Sequence, residues 1–69
     1  MQNHLIRIKT IQKMTGLSRS YIYSLTKQGL FPSSVSLTAQ GTAKGWVESE
    51  VQDWINQRIE EREVNPNAN

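Results

Sequence analysis

The stretch TGLSRSYIYSL, Thr15 to Leu25, decides how this chain folds. Gly16 tolerates the left-handed conformation that stops a helix, and Ser18 suits the N-cap of the next one, where its hydroxyl accepts from an unpaired backbone N–H. A helix is therefore expected from Arg19 to about Gln28, with Gly29 ending it. Its inward stripe is Ile22 and Leu25, whereas Arg19, Ser20, Tyr21, Tyr23, Ser24 and Lys27 are short polar, aromatic or basic. A merely solvated face more often carries Glu and Lys pairs; this one suits a DNA groove.

Upstream, Leu5-Ile-Arg-Ile-Lys9 alternates apolar and basic residues, which predicts a short edge strand with Ile6 and Ile8 on one side. Thr10 then caps a first helix over about 10–15, with Ile11, Met14 and Thr15 inward. Helix, four-residue turn with glycine, helix is the helix-turn-helix pattern, and Ile11, Leu17, Ile22 and Leu25 stand where its packing needs apolar side chains. Gln12 departs from the small residue usual at that helix contact. The plain alternative from this spacing is an ordinary helical hairpin.

Downstream, Leu30 and Phe31 are expected to close the bottom of the core before Pro32. The run from Ser33 to Gly45 reads as a hairpin with a flexible tip, with Val35 and Leu37 before it and Trp46 and Val47 after it. A third helix follows, in which Ser49 and Gln52 form a capping-box pattern and Glu50 and Asp53 favour the positive first turn. Val51, Trp54, Ile55 and Ile59 give it one apolar stripe. Residues 1–63 are thus expected to make one domain, followed by a disordered tail over 64–69.

Charge is segregated along the chain. Of eight basic residues six precede Glu48, and all six acidic residues lie at Glu48 or beyond, so residues 1–47 carry +6 and residues 48–69 carry −4. The net charge of +2 is a mild bias; its segregation is what points to a polyanion-facing half.

Composition excludes several classes. There is no cysteine and one histidine, so no disulfide, thiolate zinc site or metal cluster is expected. A chain of 69 residues leaves little structure for a catalytic cleft, and its acids sit on one helix, so no catalytic residue, cofactor or small-molecule ligand is expected. No apolar run approaches the roughly 20 residues needed to span a bilayer, and the N-terminus lacks a signal-peptide core. A cytoplasmic protein without membrane contact is expected.

LIRIKTI near the start, TGLSRSYIYSL, GLFP over 29–32 and WVESEVQDWINQRI over 46–59 occur in an order that resembles the AlpA family of small prophage regulators. That family is close in fold to phage excisionases and to the DNA-binding domain of MerR-type regulators, and the resemblance spans roughly residues 4–62. It implies a mainly α fold with a small β-hairpin: a winged helix-turn-helix of three helices plus a short two- or three-stranded wing. The second helix would enter the major groove of double-stranded DNA, and the hairpin between Val35 and Trp46 would lie over the backbone. Ser18, Arg19, Ser20, Tyr21, Tyr23, Ser24 and Lys27 carry over as recognition-helix positions, and Lys44 as the basic contact of the wing.

The side chains suit those roles. Arg19 can donate to guanine O6 and N7 or pair with a phosphate, while Ser18, Ser20 and the free N–H groups at the helix start can hold a phosphate. One tyrosine is expected to lean on the core, and Tyr21, one turn before Leu25, is the candidate. Arg7, Lys9 and Lys13 are either flanking phosphate contacts or plain solvated charges. Trp46 and Trp54 are read as core rather than as stacking platforms, and His4 as a surface residue. The acidic run Glu60, Glu61 and Glu63 reads as a solvated helix end, or as a face for the basic side of a neighbouring copy.

Where the family commonly carries basic residues or proline, Ser24, Ser33, Ser34 and Ser36 stand instead. Each neutralised phosphate contributes about 0.9 to the log–log salt slope, so a few contacts imply weak binding by a monomer and occupancy through neighbouring copies on tandem sites. The partners implied are DNA and either RNA polymerase, for a regulator, or an integrase, for an excisionase. The reading from another class is a module of the same fold that binds and inhibits a host protein.

Overall fold

A computed structural model describes residues 3–64. The elements run β1 (Leu5–Ile6), α1 (Ile8–Thr15), α2 (Arg19–Lys27), β2 (Val35–Ser36), β3 (Lys44–Val47) and α3 (Glu48–Val64). The three strands form an antiparallel sheet in the order β1-β3-β2, with Ile6 opposite Trp46, Leu5 opposite Val47, and Val35 opposite Gly45. Three helices with a hairpin wing make this a winged helix-turn-helix.

The core is one cluster of Ile11, Ile22, Phe31, Trp46 and Val51, so each helix, the loop after α2 and the central strand contribute one side chain. Ile6, Ile8, Met14, Leu17, Leu25, Trp54 and Ile55 pack around it. No polar side chain of the described residues is buried except through Trp46, whose indole N–H has no hydrogen-bond partner. Apolar burial therefore carries the stability of this small core.

The glycines end the helices as their φ values require. Gly16, at φ 76°, donates its N–H to the Gln12 carbonyl at 2.8 Å. Thr15 ties the turn from both sides: its hydroxyl donates to the Ile11 carbonyl at 2.8 Å and accepts from the Leu17 N–H at 3.2 Å. Gly29, also at φ 76°, closes α2 with two bonds, Leu30 N–H to the Leu25 carbonyl and Gly29 N–H to the Thr26 carbonyl, the pair that marks a Schellman cap. The turn between α1 and α2 is Gly16 to Ser18, one residue shorter than the sequence pattern suggests.

Several expectations are corrected. The strand stops at Ile6 and α1 begins at Ile8, so Thr10 is an exposed helical residue rather than the cap. Ile6 and Ile8 still both reach the core, because the helix turns Ile8 back onto the side its strand alternation foretold. Leu30 is 58% exposed and Phe31 alone enters the core. The reason is the cap on α2: it turns the Leu30 carbonyl toward α3, where the Trp54 indole donates to it at 2.7 Å, and Phe31 meets Trp54 edge-on at 4.9 Å. Trp54 is accordingly half-buried at the edge of the core, not inside it.

Helix α3 starts at Glu48, whose N–H is held by the His4 carbonyl at 2.7 Å, and Gln52 bonds forward to Asn56 instead of back to an N-cap, so no capping box forms. His4, just before β1, supplies a backbone acceptor at the helix start in place of the box. Ile59 is 45% exposed, since the core ends at Val51 and Ile55 and the last turns of α3 project past it. Val64 is the final helical residue rather than the start of a tail, and the rest of the expected tail lies outside the described residues.

Replacing Ile22 with Ala should cost about 2–5 kcal/mol, enough to leave so small a domain largely unfolded, whereas Leu30→Ala should stay within about 0.5 kcal/mol. Urea titration followed by far-UV circular dichroism measures both; equal losses would contradict this placement of the core.

Candidate nucleic-acid interface

Helix α2 is held by its inner side and left bare on its outer side. Ile22 is fully enclosed and Leu25 and Thr26 are half-buried beside it; the Thr26 hydroxyl donates to the Ile22 carbonyl at 2.9 Å. With 100° per residue, the direction opposite Ile22 is occupied by Ser20, Ser24 and Lys27, all exposed. Arg19 and Tyr23 form one edge of that face and Tyr21 forms the other.

The Arg19 edge is the one beside the sheet. The Tyr23 ring rests against Trp46 of β3 with centroids 6.0 Å apart, and the Arg19 guanidinium lies 5.8 Å from the Tyr23 centroid. Tyr23 is thus the tyrosine that leans on the core, at 39% exposed, and Tyr21, at 52%, points away from it. Sequence spacing favoured Tyr21 because it lies one turn before Leu25; the position of β3, which no local pattern reveals, reverses the choice. A cation–π contact of this kind steadies an exposed arginine by roughly 0.5–1 kcal/mol.

Strand pleat brings the wing into the same site. Residues two apart share a face, so Lys44 projects from the side of β3 on which Trp46 meets Tyr23, about 7 Å further along the strand. Its ammonium donates to the Ser36 hydroxyl across the hairpin at 2.9 Å, which fixes the charge near the start of the wing. Leu37 N–H bonds the Ala43 carbonyl at 2.9 Å and closes the hairpin loop.

At the helix start the Ser18 hydroxyl accepts from the Tyr21 N–H at 3.2 Å, so Ser18 is the N-cap, and the Ser20 hydroxyl lies 3.5 Å from it. The Ser24 hydroxyl accepts from the Gln28 amide at 3.1 Å, so its lone pairs are partly engaged while the side chain stays exposed. Arg7 occupies the N-cap position of α1, and Lys9 and Lys13 lie one turn apart on the outer side of that helix, opposite Ile11. Gln12, flagged by the sequence as unusual, is half-buried.

Among the described residues, His4 Nδ1 lies 3.5 Å from a Glu48 carboxylate oxygen and Arg58 pairs with Glu61, and Arg7, Lys9, Lys13, Arg19, Lys27 and Lys44 have no carboxylate within 4 Å. The basic half is therefore uncompensated in three dimensions as well as in sequence. Among the same residues no group of His, Cys, Asp and Glu is placed to hold a metal, and no helix is long and apolar enough to cross a membrane.

The family model described as Prophage CP4-57 regulatory protein (AlpA) matches residues 4–59, which takes in every element up to the last turns of α3. The chain belongs to the AlpA family. The family so described is one of prophage regulatory proteins and not of enzymes. Uncharacterized protein ORF88 of Enterobacteria phage P4 is 41% identical to it over 58 residues, which is 84% of this chain and 64% of that protein. The chain thus spans just under two thirds of the length of that relative.

In this AlpA-family helix, loss of the Ser18 cap by replacement with Ala should lower stability by about 1 kcal/mol, while Ser20→Ala should change it by under about 0.5 kcal/mol. Thermal melts of the two variants decide this; equal losses would mean that Ser18 is not the cap.

Proposed function

We propose that this protein reads double-stranded DNA in a sequence-specific way, with α2 in the major groove and the β2–β3 wing over the adjacent backbone, as a phage or prophage transcriptional regulator or excisionase. The observation that carries the proposal is the bare outer face of α2, flanked by Arg19 on Tyr23 and by Lys44 on the same side of the sheet, with no carboxylate near any of them. Arg19 reads a base edge or clamps a phosphate at the helix start; Ser20, Ser24, Lys27 and Tyr21 contact bases and phosphates along it. Ser18 acts chiefly by capping the helix and aiming its free N–H groups at a phosphate. Lys44 contacts the backbone without regard to sequence, as do Arg7, Lys9 and Lys13 where the duplex extends past α1.

Tyr23 stands apart from this group. With its ring between Arg19 and Trp46, it orients Arg19, and its hydroxyl is the part left for a phosphate. Few phosphate contacts imply modest affinity for one site, so copies on tandem sites raise occupancy. The work is done in the cytoplasm, where the DNA and either RNA polymerase or an integrase are met, and it requires no cofactor and no catalysis.

Selection from a random duplex pool at moderate salt should enrich one motif. On that motif Arg19→Ala should lose about 1–3 kcal/mol and relax the preference at one position, whereas Lys44→Ala should weaken all sequences alike and lower the salt slope by about 1. No enrichment by the folded protein would favour the module that binds and inhibits a host protein. Strong bending of the recovered site, read by gel mobility of circularly permuted fragments, separates an excisionase from a regulator that leaves mobility normal.

A further inference from the structure

A groove of about 1000 Å³ lies between the loop that follows α2 and the first four turns of α3. Its apolar walls are Leu30, Val35 and Trp54, of which Leu30 and Val35 are exposed. Along α3 it is lined by Glu50, Asp53 and Glu60, spaced so that all three fall on one stripe of the helix about 15 Å long. None of the three pairs with a cation among the described residues, where the α3 carboxylates with a basic neighbour are Glu48, beside His4, and Glu61, paired with Arg58.

We propose that this groove docks a basic, apolar peptide segment of a partner protein, with aliphatic or aromatic side chains against Leu30, Val35 and Trp54 and Lys or Arg side chains along Glu50, Asp53 and Glu60.

Charge complementarity selects the class of occupant. Three unpaired carboxylates repel phosphate, so the groove rejects nucleic acid, and an acidic or neutral peptide would leave them uncompensated. A second copy is disfavoured because its basic side chains are those assigned to DNA, and α3 of a neighbour offers mainly acids. By strand pleat Lys44 and Ser36 share one face of the hairpin, while Val35, which lines the groove, takes the other, and the outer residues Ser20, Ser24 and Lys27 of α2 do not line the groove. The groove therefore stays open while α2 occupies a duplex, which gives a small DNA reader a second surface for recruiting or anchoring a protein. The groove itself rests on α3 and β2, and only the exclusion of a second copy rests on the DNA reading, so the peptide selection can fail or succeed separately from it.

A displayed library of short random peptides, selected on the immobilised full chain, tests the assignment. Enriched peptides should carry Lys or Arg interspersed with Leu, Ile, Phe or Trp. Their affinity should fall at least about fivefold for the triple variant Glu50→Gln, Asp53→Asn, Glu60→Gln, as loss of three exposed charge contacts implies, and should not change for Arg19→Ala. The charge-reversed variant Glu50→Lys, Asp53→Lys, Glu60→Lys, confirmed folded by circular dichroism, should enrich acidic peptides instead. The proposal is overturned by the absence of any enrichment, by acidic or neutral winners on the native chain, or by peptides that bind the neutralised variant equally well. Concentration-dependent self-association that the neutralised variant loses would assign the groove to a second copy and overturn it too.

Discussion

The contact between Tyr23 and Trp46 is the joint on which the candidate interface depends. Trp46 is 1% exposed and sits at the centre of the sheet, so any ring packed on it inherits a fixed position. Through Tyr23 that position passes to Arg19, and through the alternation of β3 it passes to Lys44. One buried indole thus sets the spacing between the helix and the wing, which in a groove-binding protein is the dimension that has to match the duplex. The unpartnered indole N–H is the cost of putting so large a side chain there, and the area it buries offsets that cost.

Charge segregation gives the molecule its polarity. Six of the eight cations precede α3 and have no carboxylate partner among the described residues, while all six acids lie on α3 beside Arg58 and Arg62. In a domain this small, with a core of five enclosed side chains, opposite charges kept apart forgo whatever pairing would contribute to stability. Exposed pairs contribute little, typically 0–1 kcal/mol, so the arrangement costs little and leaves both surfaces available to partners. One face is suited to a polyanion; the other repels one.

Much of this was legible in the sequence, and the parts that were share a cause. The turn at Gly16, the cap at Ser18 and the inward Ile22 and Leu25 are all fixed by local conformational preference or by helical period, which a single segment displays. Boundaries and orientations that depend on a distant element were not legible. The start of α3 two residues early comes with the His4 carbonyl just before β1, and the exposure of Leu30 comes from Trp54, 24 residues away. The choice of Tyr23 over Tyr21 comes from β3. Ile59 follows the apolar period faithfully and still stays 45% exposed beside Met14, Leu17 and Ile55, because the period says which face is apolar and not where the core ends.

The central claim is that α2 and the wing, and not α3, meet nucleic acid. Amide resonances followed while a duplex is added at low salt test it residue by residue. The account predicts shifts concentrated at Ser18 to Gln28 and around Lys44, with Glu50 to Glu60 unmoved. Shifts centred on α3 with α2 silent would contradict it.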